Sequence, residues 1–198
     1  MDPIEMKSIL EGLIFSSESP VPLESLIEIL PESSEETILE IIRQIEADCS
    51  ADSRGVELVT VAGGYQFRTK GKCAQWIQRL KKTKPPKLSR SALETLAIVA
   101  YRQPIIRPTI EGIRGVDSGW VLRTLLERNL IRIVGRKDIP GRPILYETTK
   151  TFLELFGLNA LSDLPTPKEV PETPEELLRE KPPTPEEEEM KRDPISGE

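Results

Sequence analysis

The sequence predicts a mainly helical α+β chain with small β-hairpins, and three observations carry that assignment. Apolar residues recur at helical spacing in short stretches bounded by proline and by capping residues. The period switches from helical to alternating twice, each time after three helical stretches. From residue 165 onward the composition changes, with eight of the eighteen prolines and few large apolar residues to bury, which predicts a disordered acidic tail over 165–198.

The elements follow in order. Met6, Ile9, Leu10, Leu13 and Ile14 mark a first helix of roughly a dozen residues, ended by Pro20 and Pro22. Leu23, Leu26 and Ile27 form the inward side of a short second helix that closes before Pro31. Ser33 and Glu36 make a capping-box pattern ahead of Ile38, Ile41, Ile42 and Ile45, the third helix. Val56, Leu58, Val59 and Val61 then read as a strand. Gly63-Gly64 supplies the positive-φ pair of a tight turn, and Tyr65 and Phe67 begin the returning strand. Residues 71–82 turn helical again around Trp76, Ile77 and Leu80. Three helices followed by a hairpin is the winged-helix order, a variant of helix-turn-helix. The first such domain spans 1–82. Pro85-Pro86 and the surrounding lysines mark a linker, drawn at 83–88.

The same order repeats over 89–164, without a repeat at the level of sequence. Ser91 and Glu94 form a second capping box before Leu93, Leu96, Ala97 and Ala100, and Pro104 stops that helix. Pro108 opens a short helix through Ile110 and Ile113 that ends at Gly115. Ser118 is expected to cap a third, with Leu122, Leu125 and Leu126 inward. Ile131 and Ile133 begin a strand, a loop over 135–143 follows, and a second strand lies around 144–146. Phe152, Leu155 and Phe156 belong to a last short helix.

Charge is divided unevenly. The net charge of −6 is the balance of −11 over residues 1–67, +13 over 68–150 and negative values after them, which predicts either distinct surfaces for distinct partners or one half that meets the other in an assembly. Histidine is absent, which removes the commonest general base and metal ligand. Cys49 and Cys73 are two isolated thiols, neither a disulfide framework nor a metal pattern. No basic n-region precedes an apolar core, so no secretory signal is expected, and no apolar run approaches the ~18 residues of a membrane span. Gly71-Lys72 fails as a phosphate loop because Gln66 and Cys73 stand where glycine and a hydroxyl are needed. Ser118-Gly119 fails as a nucleophile elbow because position 116 is valine. No catalytic, cofactor-binding or metal-binding residue is expected.

Two runs carry a family resemblance. LSRSALETLAIVAYRQPIIRPTIEGIRGV over 88–116 and GRKDIPGRPILYETTKTFLELFGLNALSDLP over 135–165 resemble the segregation-and-condensation protein B family. LEGLIFSSESPV and GGYQFRT in the first half are similar to it as well. Gly112, Asn129 and Glu147 depart from the usual residues without disturbing the resemblance. The resemblance implies a homodimer that binds the kleisin subunit of a condensin-like complex, whose SMC ATPase is the partner that hydrolyses ATP. It also implies a cytoplasmic, nucleoid-associated protein acting in chromosome partition, with DNA contact indirect or weak.

Trp120 and Arg123 fall on the outward side of their helix, opposite Leu122, Leu125 and Leu126. Arg114 ends the preceding helix and is expected to reach the same surface, and Arg136 and Arg142 add charge from the wing. These five, Arg114, Trp120, Arg123, Arg136 and Arg142, are the expected kleisin-binding residues, with dimerisation assigned to 1–82 and Tyr101 to the core. The alternative is a winged-helix DNA-binding transcriptional regulator, favoured by the basic middle of the chain. The third helix of the first half argues against it, because Glu35, Glu36, Glu40 and Glu46 would repel phosphate.

Overall fold

The computed structural model describes residues 2–82 and 87–166. The expected linker and tail therefore fall largely outside the described residues. All described elements belong to one compact unit ending at Asp163, and the chain is a mixture of helices and two small antiparallel sheets.

In the first half, α1 (Pro3–Ser16), α2 (Leu23–Ile29) and α3 (Glu35–Ser50) pack around one apolar cluster. Met6, Leu10 and Ile14 point inward at successive four-residue steps, and Ile38, Ile41 and Ile45 meet them from α3. Ser34 rather than Ser33 caps α3: its extended backbone lets the hydroxyl accept the Thr37 amide at 3.2 Å. Strands β1 (Val56–Val61) and β2 (Gly64–Thr69) pair with Val61 opposite Gly64. The tight turn is consequently Ala62-Gly63, with φ of 51° and 79°, and not Gly63-Gly64. Gly64 is needed for a different reason. Tyr65 exchanges both backbone bonds with Val21 at 2.9 Å, and a Cβ on Gly64 would stand 2.7 Å from the Val21 carbonyl carbon. A 3-10 turn at Gly71–Cys73 then leads into α4 (Ala74–Lys81).

The second half repeats the order with one added strand. Helix α5 (Arg90–Arg102) is capped by Ser89, whose hydroxyl accepts the Ala92 amide at 3.2 Å. The expected cap, Ser91, lies inside the helix and serves another purpose described below. After Pro104, joined to Gln103 by a cis peptide bond, comes β3 (Ile105–Ile106), which the apolar pattern does not announce. Helix α6 (Arg107–Arg114) ends at Gly115, in the left-handed conformation expected there. Helix α7 (Gly119–Glu127), β4 (Ile131–Arg136), β5 (Ile144–Thr148) and α8 (Lys150–Phe156) complete the unit, with strand order β3-β5-β4. Gln103 ties α5 to the sheet: its Oε1 accepts the Thr148 amide at 2.6 Å and the Thr148 hydroxyl at 3.0 Å. Leu96, Ile110, Leu122, Leu125 and Ile131 are fully buried. Phe152 is the buried residue of α8, whereas Leu155 and Phe156 lie on its exposed side. Tyr101 is also exposed on α5 and does not belong to the core.

The halves touch through the first hairpin. Its two turn amides are taken by the segment after α8: Ala62 donates to the Leu158 carbonyl and Gly63 to Asn159 Oδ1, both at 2.9 Å. Arg68 on β2 donates to the Glu154 carbonyl at 2.8 Å, placing a cation near the C-terminal end of α8.

Candidate protein-binding surface

Helix α7 buries Val121, Leu122 and Leu125 and sends the next residues of the turn to solvent. Trp120 is consequently 72% exposed, and Arg123, one turn on, pairs with Glu127 at 3.0 Å. A tryptophan left in water on a helix whose other large apolar residues are covered has the character of an interface anchor.

Its base is held rigidly. Glu111 on α6 accepts the Ser118 amide at 3.0 Å and Arg107 Nε at 2.6 Å, and Arg107 also reaches Asp117. The Ser118 amide first, and then Arg107, hold the Glu111 carboxyl below its ordinary value. Asp117 accepts the Gly119 amide at 3.1 Å, so this carboxylate, and not the expected Ser118 hydroxyl, receives the first free donor of α7. The Arg107 guanidinium lies over Gly119, where a Cβ would stand 2.7 Å from its Nη1.

Arg114 does not reach the Trp120 surface. Its side chain is 8% exposed and turns between α5 and α7, donating to Ser91 Oγ at 2.9 Å and Ser118 Oγ at 3.3 Å, with Glu94 at 3.4 Å. The buried Ser118 hydroxyl and the half-buried Ser91 hydroxyl take the guanidinium inward, so Arg114 positions α7 and Ser91 is its acceptor. Its Nε is buried with no hydrogen-bond partner among the described residues. Arg136 and Arg142 lie together on the wing, where Arg136 donates to the Arg142 carbonyl at 3.1 Å and both are exposed. Arg142 adopts a φ of 40° beside Gly141 in the turn. The five expected residues thus divide into an α7 pair, a wing pair and an internal pin.

A feature the sequence reading missed lies on the other side of the wing. Arg102 and Lys137 rim a cavity of about 430 Å³ floored by Pro104, Ile105, Ile106 and Leu145. Ile113, at helical spacing from Thr109, was its one legible sign, because the cavity depends on the unannounced β3. No group of three or more metal-ligating side chains occurs among the described residues, and no described helix is long and apolar enough to cross a membrane.

Comparison with known proteins decides the family. Residues 8–167 match the family model described as segregation and condensation complex subunit ScpB. The chain belongs to the ScpB family. It is similar to segregation and condensation protein B of Syntrophotalea carbinolica, at 47% identity over 89% of each chain. It also resembles the solved ScpB of Mycobacterium tuberculosis, at 33% identity over 80% of this chain and 98% of that one, with a TM-score of 0.39. A third relative is a solved dimer of an ScpB N-terminal domain complexed with an ScpA peptide, 28% identical over 39% of this chain and 95% of that one, TM-score 0.37. Membership in the ScpB family makes the chain a subunit of the segregation and condensation complex.

Proposed function

We propose that the chain is a non-enzymatic adaptor of a condensin-like SMC–kleisin complex, built from two winged-helix domains over residues 1–82 and 89–164. It acts in chromosome condensation and partition during cell division by binding, as a homodimer, a kleisin subunit of the ScpA type. ATP hydrolysis belongs to the SMC ATPase, which it meets through the complex. Contact with DNA is indirect or weak, and the protein is cytoplasmic, associated with the nucleoid through its partners. The dimer contacts lie in the first domain and the kleisin contacts in the second, where Trp120 and Arg123 form the anchor and Arg136 and Arg142 flank it.

The observation that supports the kleisin role most directly is Trp120, exposed on a helix locked at its start by Glu111, Asp117 and Arg114. An aromatic anchor on a rigid base loses little conformational entropy when a partner covers it. The α7 face suits a protein better than a nucleic acid, because Arg123 is already neutralised by Glu127 and the corresponding face of α3 exposes Glu35, Glu36, Glu40 and Glu46.

The test is titration of an ScpA-type kleisin fragment against the full chain and against Trp120→Ala. Truncating such an anchor costs about 2 kcal/mol or more, which weakens binding at least about thirtyfold. An unchanged affinity refutes the second-half anchor and leaves a contact elsewhere on the chain.

A further inference from the structure

Helix α4 is formed but hardly packed. It is eight residues long and buries none of them. Trp76 is 60% and Leu80 82% exposed, one helical turn apart on the same side. Arg79 covers one face of the Trp76 ring, its guanidinium carbon 4.7 Å from the centroid. Helices shorter than about 12–15 residues are marginal in water without tertiary contacts, and among the described residues α4 buries no side chain against a partner that would stabilise it. The stretch 68–82 that contains it has six cations and no carboxylate.

A matching recess lies on the same half. A cavity of about 400 Å³ is lined by Glu11, Gly12, Phe15, Arg54, Val56 and Phe67, together with Ser8 and Cys49. Phe15 is 78% exposed beside it. Gly12 sits in the interior of α1, where glycine weakens a helix, and a Cβ there would meet nothing within 4 Å. Among the described residues no neighbour requires glycine at position 12, and the absent side chain leaves the recess open.

We propose that α4 of one copy seats Trp76 and Leu80 in the Gly12–Phe15 recess of a second copy, and that the exchange is reciprocal. This deepens the dimeric reading above and rests on it. Charge favours a second copy as the occupant. The recess itself balances Glu11 against Arg54, so the attraction comes from the half around it, whose residues 1–67 hold 14 carboxylates and three cations against the cations around α4. Size agrees as well, since an indole fits a cavity of this volume and buries roughly 150–250 Å² on entering. Two copies related by a two-fold axis satisfy both helices and both recesses at once, which closes the assembly.

The experiment is sedimentation of the full chain over a concentration series, with Trp76→Ala, Gly12→Leu and an equimolar mixture of the two variants. Gly12→Leu fills the recess from within its own chain and favours the α1 helix, so circular dichroism should show both variants folded. Each variant alone is expected to dimerise at least about thirtyfold more weakly than the parent. The mixture is expected to recover part of the association, because Trp76 of the Gly12→Leu chain still finds the open recess of the Trp76→Ala chain. A parent that dimerises alongside undiminished variants, or a mixture that recovers nothing, overturns the α4 exchange and leaves the dimeric reading standing. A parent that is monomeric at tens of micromolar overturns both. Loss of kleisin-fragment binding by Gly12→Leu with dimerisation intact assigns the recess to the kleisin and likewise overturns the exchange.

Discussion

Replacing Arg114 with methionine separates a pin from an anchor. Methionine keeps most of the stem's packing and removes the guanidinium, which donates to Ser91 and Ser118 and approaches Glu94. Two hydrogen bonds from a charged donor contribute about 1.5 kcal/mol each, or about 3 kcal/mol together. Relieving the buried, unpartnered Nε returns about 1 kcal/mol, while the Glu94 pair, half open to water, adds little. The net loss is therefore about 2 kcal/mol, which lowers the unfolding midpoint of a unit of this size by roughly 4–8 °C. Urea unfolding followed by tryptophan fluorescence measures that loss, and kleisin-fragment titration well below the midpoint measures binding. Arg114→Met should lose stability with only a few-fold loss of affinity through the loosened base of α7, whereas Trp120→Ala should lose affinity about thirtyfold and keep its stability. A stable Arg114→Met protein that binds kleisin thirtyfold more weakly would refute the internal role, and Arg114 would rejoin the surface that the helical spacing alone suggests.

Other outcomes follow from the same contacts. Gly64→Ala should destabilise the first half by about 1–3 kcal/mol in denaturant melts, because its Cβ would press on Val21 and Pro20 backbone that cannot give way. Asn159→Ala removes the acceptor of the Gly63 amide and should cost about 1 kcal/mol, with faster hydrogen exchange at Ala62 and Gly63 than elsewhere in the hairpin. Glu111 titrates below its ordinary value of 4.5 in the folded chain, so its contribution is fully present above that value and is lost as pH falls through the lower folded one. Glu111→Gln should accordingly flatten the acid limb of the stability curve below pH about 5, and an unchanged limb would place the proton uptake elsewhere.

Much of the fold was legible because burial imposes a period. Met6, Leu10 and Ile14, the isoleucines of α3, and Leu122 with Leu125 sit inward as their spacing requires. Departures occur where a polar atom has more than one place to go. Ser33 and Ser34 are both adequate caps, as are Ser89 and Ser91, and the choice falls to backbone geometry and to the distant Arg114, neither written locally. The turn slipped by one residue because Val21 claims the backbone beside Gly64, a constraint from more than forty positions away. Strand β3 is two residues long, too short for an alternating pattern to register, and it exists because β5 offers an edge. For the site, amphipathicity placed Trp120 and Arg123 outward correctly, but an arginine at a helix end is equally able to turn in. The acceptors offered by half-buried Ser91 and buried Ser118 beside Arg114 settle which way it goes.

Hairpin tips are where chains ordinarily accept insertions, since their amides face water and owe nothing to the rest of the molecule. The Ala62-Gly63 tip is different: its two donors end on Leu158 and Asn159, the second pair separated by 96 positions. The length of that small turn is therefore tied to residues of the other half of the chain. A chimera that joins the first half of one relative to the second half of another must match at this point as well as along the linker. An extra residue in the turn, harmless to the hairpin itself, would reach the far half of the chain as a lost handhold.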